Sequence, residues 1–195
     1  QSNLLSNEFN IEHISTGDLL REEIKSGNKE LQSIIESGKL VNDELILSIL
    51  AKKIDSLDSY ILDGFPRTIN QAISLDELLK SKNEKIDYVI YLSVDKEIAK
   101  KRILGRVSCP KCGSVYNTMI EGMNSKVDMI CDNCNSELTK RIDDTEETLS
   151  TRYDTYISET EPLIEYYKNK GVLYQIDSSR DTMTVYNDIK NILND

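Results

Sequence analysis

The sequence predicts an α/β protein in which helices flank a parallel sheet and a small metal-binding segment interrupts the pattern. Three observations support this fold class. Short apolar runs alternate with helical stretches along the chain, which is the element order of a parallel sheet. Small polar residues and a carboxylate follow two of the apolar runs. Four cysteines form two Cys-x-x-Cys pairs in a stretch that breaks the alternation.

The predicted strands are short apolar runs that end in polar residues or at a turn. The third run is apolar almost throughout, so it is predicted to be a buried strand. In chain order, the predicted strands cover residues 11–15, 60–63, 88–94 and 172–177.

The predicted helices carry apolar residues at helical spacing. The clearest case is residues 43–54, where Ile46, Leu50 and Ile54 recur every four positions. A bend is expected near Pro162, because proline lacks the backbone N–H that a helix interior needs. In chain order, the predicted helices cover residues 19–25, 31–36, 43–54, 68–81, 97–104, 146–170 and 182–193.

The end of the first predicted strand is a candidate anion site. Ser15 and Thr16 can cap the following helix, and Arg21 lies about one turn inside it. Helix N-termini favour anions, so Arg21 could reach back towards one. A plain helix cap with an exposed arginine explains the same residues about equally well.

The end of the second predicted strand is a stronger candidate. Asp63 ends the apolar run, and Arg67 follows after Gly64, Phe65 and Pro66. Phosphoryl-transfer sheets place a carboxylate near Mg²⁺ in this way. Gly64 allows close backbone approach, and Pro66 stiffens the turn that aims Arg67. An ordinary strand-to-helix turn would not need both charged residues.

The four cysteines, Cys109, Cys112, Cys131 and Cys134, predict a zinc site. Two Cys-x-x-Cys pairs separated by eighteen residues match the spacing of a four-cysteine zinc centre. Because protein fills all four positions, the site is expected to be structural rather than catalytic. Chance pairs or a redox function are the alternatives.

Composition restricts the possible partners. The formal net charge of −10 argues against a duplex nucleic acid partner. No apolar run approaches the roughly 20 residues that span a bilayer, so no membrane partner is expected. A cytoplasmic location is therefore predicted. That compartment is reducing, so the cysteines are expected to be metal ligands rather than disulfides.

Several motifs together resemble the adenylate kinases, within the nucleoside monophosphate kinase family, of the branch with a long zinc-binding lid. The resemblance runs from Gln1 almost to the carboxyl end, and the Asp-Gly-Phe-Pro-Arg segment is highly specific. The motifs that carry it are Ile14-Ser15-Thr16-Gly17-Asp18, Gly38-Lys39-Leu40-Val41, Leu62-Asp63-Gly64-Phe65-Pro66-Arg67-Thr68, Gly105-Arg106, Arg141-Ile142-Asp143-Asp144 and Glu146-Glu147-Thr148.

The resemblance implies a fold, a reaction and a domain plan. It implies a P-loop-type parallel sheet and reversible transfer of a phosphoryl group from Mg²⁺-bound ATP to AMP, giving two ADP. A cytoplasmic monomer is expected, with structural Zn²⁺ in the lid. The implied domains are a core of residues 1–14, 42–104 and 145–195, an AMP-binding region at 15–41 and a zinc lid at 105–144.

The resemblance also implies roles for individual residues. Asp63 would lie near Mg²⁺, and four arginines, Arg67, Arg106, Arg141 and Arg152, would stabilise the transferred phosphate. Residues implied to bind ATP are Arg106, Val115, Tyr116 and Arg180. Residues implied to bind AMP are Thr16, Arg21, Lys39, Leu40, Val41, Gly64, Phe65, Pro66, Arg67, Gln71, Arg141 and Arg152.

One family feature is not present in the printed sequence. Relatives open with a strand and a glycine-rich loop of the GxxxxGK[ST] type, and no such motif occurs here. We expect that segment to precede Gln1, and its strand to lie between the strands that end near Asp63 and Val94. Without it, the sheet would have an open core and phosphoryl transfer would nearly vanish.

Two other functions fit less well. A kinase of UMP/CMP or GMP shares the core but generally has a short lid, whereas GTP in place of ATP as donor is harder to distinguish by sequence. A zinc-ribbon binding module would need basic or aromatic residues around the cysteines, where this chain has Glu121, Asp128, Asp132 and Glu137.

Overall fold

The structure, a computed structural model, describes residues 1–25, 27, 29–37 and 40–194. Its helices begin at residues suited to that position: the Asn42 side chain accepts hydrogen bonds from two backbone N–H groups of the helix that follows it, and Thr68 and Asp95 cap two others. The α-helices are α1 (Ser2–Phe9), α2 (Thr16–Lys25), α3 (Lys29–Glu36), α4 (Asp43–Ile54), α5 (Ile69–Ser81), α6 (Lys96–Leu104), α7 (Glu146–Thr155), α8 (Pro162–Asn169) and α9 (Thr182–Asn194).

Two separate parallel strand pairs form the centre of the molecule. β1 pairs with β2 so that Ser15 lies opposite Asp63, and β3 pairs with β6 so that Ser93 lies opposite Asp177. The third pair, β4 with β5, is antiparallel. The strands are β1 (Glu12–Ser15), β2 (Tyr60–Asp63), β3 (Val89–Ser93), β4 (Arg106–Ser108), β5 (Val115–Asn117) and β6 (Leu173–Asp177).

Helices cover both faces of these strands. Leu5 of α1 packs with Ile176 of β6 and Ile189 of α9 in one apolar cluster. On the other side, Ala72 of α5 packs with Leu163 and Tyr167 of α8. The largest cluster joins β1 and β2 to α2, α3, α4 and α5. This is the predicted architecture of parallel strands flanked by helices.

An open cleft separates β2 from β3. Within the described part of the chain these two strands are not paired, and their facing edges line a cavity of about 1580 Å³.

The prediction that residues 88–94 form a buried strand is wrong in its burial. The strand is present as β3, but Leu92 is 37% exposed and its flanking residues Tyr88 and Val94 are similarly exposed. Only one edge of β3 is paired, and residues of the strand line the cleft.

Two helical features differ from the sequence prediction. Helix α1 was not predicted, because its sequence is polar apart from Leu4, Leu5 and Phe9. The stretch predicted as one long helix, residues 146–170, is divided into three segments. These are α7, a π-helical segment at Tyr156–Thr160, and α8. Pro162 occupies the first turn of α8, where a missing N–H costs nothing. None of the described helices is long and apolar enough to cross a membrane.

Candidate functional site: an arginine cluster and a four-cysteine centre

The loop after β2 is bound closely to the end of β1. The Thr16 hydroxyl donates to the Asp63 carbonyl oxygen at 3.1 Å, which joins the two strand ends. Arg67 Nε donates to the Gly64 carbonyl at 2.8 Å. Gly64 has φ of 75°, and a Cβ there would lie 3.2 Å from both Arg67 Nη2 and Thr16 Oγ1. Glycine is needed at this position for both its backbone conformation and its lack of a side chain.

The arginine cluster comprises Arg21, Arg67, Arg106, Arg141 and Arg152. The charges of nearby carboxylates act on Arg67 and Arg141, but neither arginine is in ion-pair contact with one. Neither forms an ion pair with any other described residue. Burial, followed by the nearby positive charge of Arg152, lowers the pKa of Arg67. Burial, followed by the charge of Arg106 and then Arg21, lowers the pKa of Arg141. Both side chains remain cationic at neutral pH, since arginine titrates so high.

The other three arginines of the cluster are paired with carboxylates. Arg21 donates to Asp18 at 2.5 Å. Arg106 makes a two-pronged contact with Asp144, with Nε donating at 2.8 Å and Nη2 at 2.5 Å. Arg152 lies 3.5 Å from the same carboxylate. The Asp144 side chain is only 1% exposed, so two guanidinium groups neutralise one buried charge.

These arginines influence one another although they come from distant parts of the chain. The charges of Arg21 and Arg152 act on Arg67, and those of Arg21 and Arg106 act on Arg141. Electrostatic interactions therefore link the five side chains. A protein with a net charge of −10 has gathered local positive charge, which is what a polyanionic ligand requires.

Asp63 lies at the edge of this cluster and is half exposed. Its Oδ2 is 3.0 Å from His13 Nε2, and His13 Nδ1 is 2.8 Å from Asn3 Oδ1. The single histidine is thus a hydrogen-bonded neighbour of the carboxylate. Asp63 also lines the cleft between β2 and β3, together with Arg67 and Arg152.

The amide of Gln71 is fixed by two hydrogen bonds. Its Oε1 accepts from the Arg67 backbone N–H at 2.7 Å, and its Nε2 donates to Asp43 at 2.6 Å. The residue is fully buried. Each amide atom retains capacity for one further hydrogen bond, but the side chain is covered in this conformation.

The remaining residues implied to bind AMP are divided between the cleft and the core. Leu40 and Pro66 line the cleft. Val41 and Phe65, each 6% exposed, pack in the large apolar cluster. Lys39 lies outside the described residues.

The four cysteines come together in a geometry that fits a tetrahedral metal. Their sulfur atoms all lie within 4.8 Å of one another, and the Cys109–Cys134 and Cys112–Cys131 pairs are 3.4 and 3.5 Å apart. Sulfurs bound to one Zn²⁺ at 2.3 Å would be about 3.8 Å apart. A soft donor set of four thiols, without competing oxygen ligands, fits Zn²⁺.

The thiols of this centre differ in acidity. Burial raises the pKa of Cys109 to about 11. Burial also opposes ionisation of Cys131, but hydrogen bonds from the Tyr116 hydroxyl and from two backbone N–H groups outweigh it and lower the pKa to about 6. These hydrogen bonds favour the thiolate, which is the form of cysteine that binds a metal ion.

The residues implied to contact ATP are more scattered. Val115 is exposed on β5, whereas the Tyr116 hydroxyl turns towards Cys131 in the cysteine centre. Arg180 lies in the loop after β6 and pairs with Asp188 on α9. Within the described chain, its guanidinium is held by that carboxylate and by the Asp177 carbonyl rather than by the arginine cluster.

Sequence reasoning missed Arg102. Its guanidinium donates to the Ser178 carbonyl at 2.7 Å and lies 3.5 Å from the Arg180 carbonyl, so it holds the loop that carries Arg180. Asn117 of β5 donates in turn to the Arg102 carbonyl at 2.9 Å. In the sequence, Arg102 follows two lysines on a charged helix, and nothing distinguishes it from a solvated side chain.

Together, the fold and the site define a protein that handles phosphorylated ligands: an α/β core in which arginines converge beside a strand-end carboxylate, with a cysteine segment that fits zinc. The family profile described as adenylate kinase matches residues 1–172. An adenylate kinase of Clostridium acetobutylicum is 44% identical over 200 residues, covering 99% of this chain and 92% of the relative. Adenylate kinases of Archaeoglobus fulgidus and Pseudothermotoga lettingae are 43% and 40% identical, covering 99% and 97% of this chain and 91% and 89% of those proteins. The chain belongs to the adenylate kinase family.

Proposed function

We propose that this protein catalyses the reversible, Mg²⁺-dependent transfer of the terminal phosphoryl group of ATP to AMP. An oxygen of the AMP phosphate attacks the γ-phosphorus, and the bond from that phosphorus to the β–γ bridging oxygen breaks. Both products are ADP. No nucleophilic side chain is needed, because the acceptor is itself the nucleophile.

The observation that carries this proposal is the pair of partly buried, unpaired cations Arg67 and Arg141. Gathering positive charge without carboxylate partners is unfavourable unless a ligand supplies the anion. Phosphate groups suit this task because a planar guanidinium can donate two parallel hydrogen bonds to one phosphate. The arginines would stabilise the charge on the phosphoryl oxygens as it develops during transfer.

We assign the AMP side of the reaction to residues near the ends of β1 and β2. Thr16, Arg21 and the loop Gly64–Arg67 would hold the AMP phosphate, since they already lie together there. Gln71 would recognise the adenine base. Leu40 and Val41 would form part of the wall of the AMP site, and the resemblance assigns Lys39 to the same wall. Since Gln71 is buried and its Nε2 is held by Asp43, that contact would have to open before a base could reach the amide.

We assign the ATP side to the segment at 105–144 and its surroundings. Arg106 would meet the ATP phosphates, Val115 and Tyr116 would border the base, and the Arg180 backbone would contact it. The segment would act as a lid that excludes water, which is the competing acceptor. Arg141 and Arg152 would reach the phosphates of both nucleotides.

Two metal ions belong to this proposal. Zn²⁺ held by Cys109, Cys112, Cys131 and Cys134 would keep the lid folded. Mg²⁺ bound to ATP would supply positive charge that offsets the negative charge of the phosphate groups. Asp63 would orient the water molecules of that ion, because its carboxylate is half exposed at the edge of the cleft.

We also propose a cytoplasmic monomer that acts on ATP, AMP and ADP without nucleic acid or membrane partners. The net charge of −10 supports the absence of a nucleic acid partner. The domain plan, with a core of 1–14, 42–104 and 145–195 between two moving parts, belongs to the same proposal. Light scattering of the purified protein would test the oligomeric state.

The decisive experiment measures ADP formation by the full-length protein from ATP with AMP, CMP, UMP or GMP as the acceptor. We expect AMP to be strongly preferred. Arg67→Lys should lower kcat about a hundredfold, because lysine cannot reproduce the paired hydrogen bonds. Lys190→Gln is the control, since Lys190 pairs with Glu8 at the surface, away from the arginine cluster.

Two outcomes would contradict the proposal. A dominant rate with CMP or UMP would assign the protein to a different acceptor. Unchanged turnover in Arg67→Lys would remove Arg67 from the reaction. Replacing ATP with GTP in the same assay determines the donor preference.

A further inference from the structure

Two hydroxyl groups lie beside the four-cysteine centre and contact its sulfur atoms. The Tyr116 hydroxyl lies 3.6 Å from Cys131 Sγ. The Ser114 hydroxyl lies 3.1 Å from Cys112 Sγ. Ser114 and Tyr116 are two positions apart, so an extended backbone directs both side chains to the same face. Each cysteine pair therefore has one hydroxyl beside one of its sulfurs.

The hydrogen bonds around these hydroxyls determine where their protons point. The Asp132 backbone N–H donates to the Tyr116 oxygen at 2.9 Å, and Asn133 Nδ2 donates to the Ser114 oxygen at 2.8 Å. An amide N–H can only donate, so each hydroxyl oxygen is the acceptor in that contact. The proton of each hydroxyl is then free to point at the neighbouring sulfur.

We propose that Ser114 and Tyr116 form an outer hydrogen-bonding shell for the metal centre, each donating to one metal-bound thiolate. This inference rests on the zinc site that forms part of the proposed function. A hydrogen bond to a thiolate delocalises its negative charge and fixes the ligand's direction. The same two hydroxyls connect the β4–β5 hairpin to the second cysteine pair, because their acceptor contacts are with Asp132 and Asn133.

The two hydroxyls should contribute unequally. Cys131 is fully buried and Tyr116 packs in the apolar cluster of Val107, Cys109 and Leu138. Water cannot easily replace a donor there, so the loss of the Tyr116 hydroxyl leaves the thiolate without that hydrogen bond. Cys112 is exposed, and water can take the place of Ser114.

The link continues from the metal centre to the base of the 105–144 segment. Asn117, the next residue after Tyr116, is 3% exposed and donates to the Arg102 carbonyl at the end of α6. Its Oδ1 also accepts from the Met119 N–H at 2.9 Å. The strand β5 thus contacts the cysteine centre with one side chain and the end of α6 with the next. The outer shell would make the rigidity of this connection depend on the bound metal.

The test measures zinc affinity of the full-length protein by competition with a chromophoric chelator. We expect Tyr116→Phe to weaken Zn²⁺ binding about tenfold and Ser114→Ala by less, within the range seen for outer-shell partners. Tyr174→Phe and Ser81→Ala are matched controls, because both hydroxyls lie outside the cysteine segment and should leave the affinity unchanged.

A spectroscopic measurement separates this function from simple packing. In the Co²⁺-substituted protein, the sulfur-to-cobalt charge-transfer band of Tyr116→Phe should move to longer wavelength, because a thiolate that loses a hydrogen bond donates charge more readily. The Tm of Tyr116→Phe should fall below that of the unaltered protein when metal is bound and match it after metal removal. Equal Tm losses in both states would indicate packing alone.

Unchanged zinc affinity and an unshifted cobalt band in Tyr116→Phe would overturn the inference, as would an unaltered protein that binds no Zn²⁺. If Tyr116→Phe fails to fold, an unchanged affinity in Ser114→Ala overturns the proposed pair and a weakened one supports it. The inference and the proposed function fail separately. A shift in zinc affinity without ADP formation would refute only the kinase proposal.

Discussion

Replacing Asp144 with asparagine removes the negative charge that neutralises Arg106. The same charge contributes to neutralising Arg152, which also lies near Asp143. The Asp144 side chain is 1% exposed, while Arg106 and Arg152 are 22% and 29% exposed. Breaking a fully buried ion pair costs about 3–5 kcal/mol, because the remaining charge stays buried without a partner. Here the arginines retain some contact with water and asparagine keeps one acceptor oxygen. The expected loss is therefore about 2–3 kcal/mol.

This loss should be visible in thermal and urea unfolding of the zinc-loaded protein. For a chain of this size, each kcal/mol corresponds to about 2–4 °C in Tm, so Asp144→Asn should lower Tm by about 4–12 °C. Arg106→Gln and the double variant complete a double-mutant cycle. Since the two residues contact each other directly, the double variant should lose less stability than the sum of the single variants.

A loss below about 0.5 kcal/mol in Asp144→Asn would refute this reasoning, since that is the range of ordinary surface substitutions. The reasoning would also be refuted if the stability losses of the two single variants summed to the loss of the double variant. Losses at independent sites add, whereas losses at residues in contact do not. Glu146→Gln is the control. It removes the charge of a neighbouring carboxylate that pairs with Lys100 at the surface, where an ion pair contributes about 0–1 kcal/mol.

Three further predictions concern other parts of the chain. Gly105→Ala should destabilise the protein by about 1–3 kcal/mol in urea unfolding, because its Cβ would come within 2.3 Å of Asn117 Oδ1; an unchanged midpoint would show that Asn117 moves freely. Chelation of the metal should unfold residues 105–144 and lower Tm while the core remains folded, as followed by amide hydrogen exchange; uniform protection after chelation would contradict this. Hydrogen bonds from Thr184 hold the pKa of Asp181 below its usual 3.8, so the unfolded chain binds more protons and stability should fall as pH drops below about 4. Urea unfolding between pH 3 and 7 should show this fall, and Asp181→Asn should reduce it.

Local sequence patterns were sufficient to predict most elements of the fold. Alternation of apolar runs and amphipathic stretches predicts where β1, β2, β3 and β6 lie between helices, because burial on one face imposes a period on the sequence. The same logic fails for α1, in which Leu5 is the only buried residue. It also fails for the burial of β3, because an apolar run predicts a strand without specifying what lies beside its unpaired edge.

The proximity of the two strand ends was predictable, but the partners of the side chains there were not. Strand-end motifs predict that Thr16 and Asp63 lie close together, since the carboxyl ends of parallel strands meet at one edge. Nothing in the sequence indicates that Asp144 pairs with Arg106, or that the Gln71 amide is held by Asp43. These contacts join residues 28 to 38 positions apart. They depend on how the segments pack, which local periodicity does not encode.

The division of the five arginines into paired and unpaired groups suggests how nucleotide binding would be coupled to movement of the 105–144 segment. In the proposed reaction, Arg67 and Arg141 would receive a phosphate directly, because neither is in ion-pair contact with a carboxylate. Arg106 uses Nε and Nη2 to hold Asp144, so it could present this two-pronged edge to a phosphate only by exchanging Asp144 for phosphate oxygens. A ligand that replaces Asp144 as the partner of Arg106 must therefore form hydrogen bonds as strong as the two that Asp144 accepts.

This exchange would be possible for polyphosphates but not for single phosphates. A single phosphate can satisfy Arg67 and Arg141 and leave the Arg106–Asp144 pair intact, whereas a triphosphate has enough oxygens to compensate for breaking it. Asp144→Asn weakens the competitor, so it should widen the difference in affinity between inorganic tripolyphosphate and inorganic phosphate, because only tripolyphosphate has to break the Arg106–Asp144 pair. If calorimetry shows the same ratio of affinities in the variant and the unaltered protein, Asp144 does not compete with the ligand for Arg106.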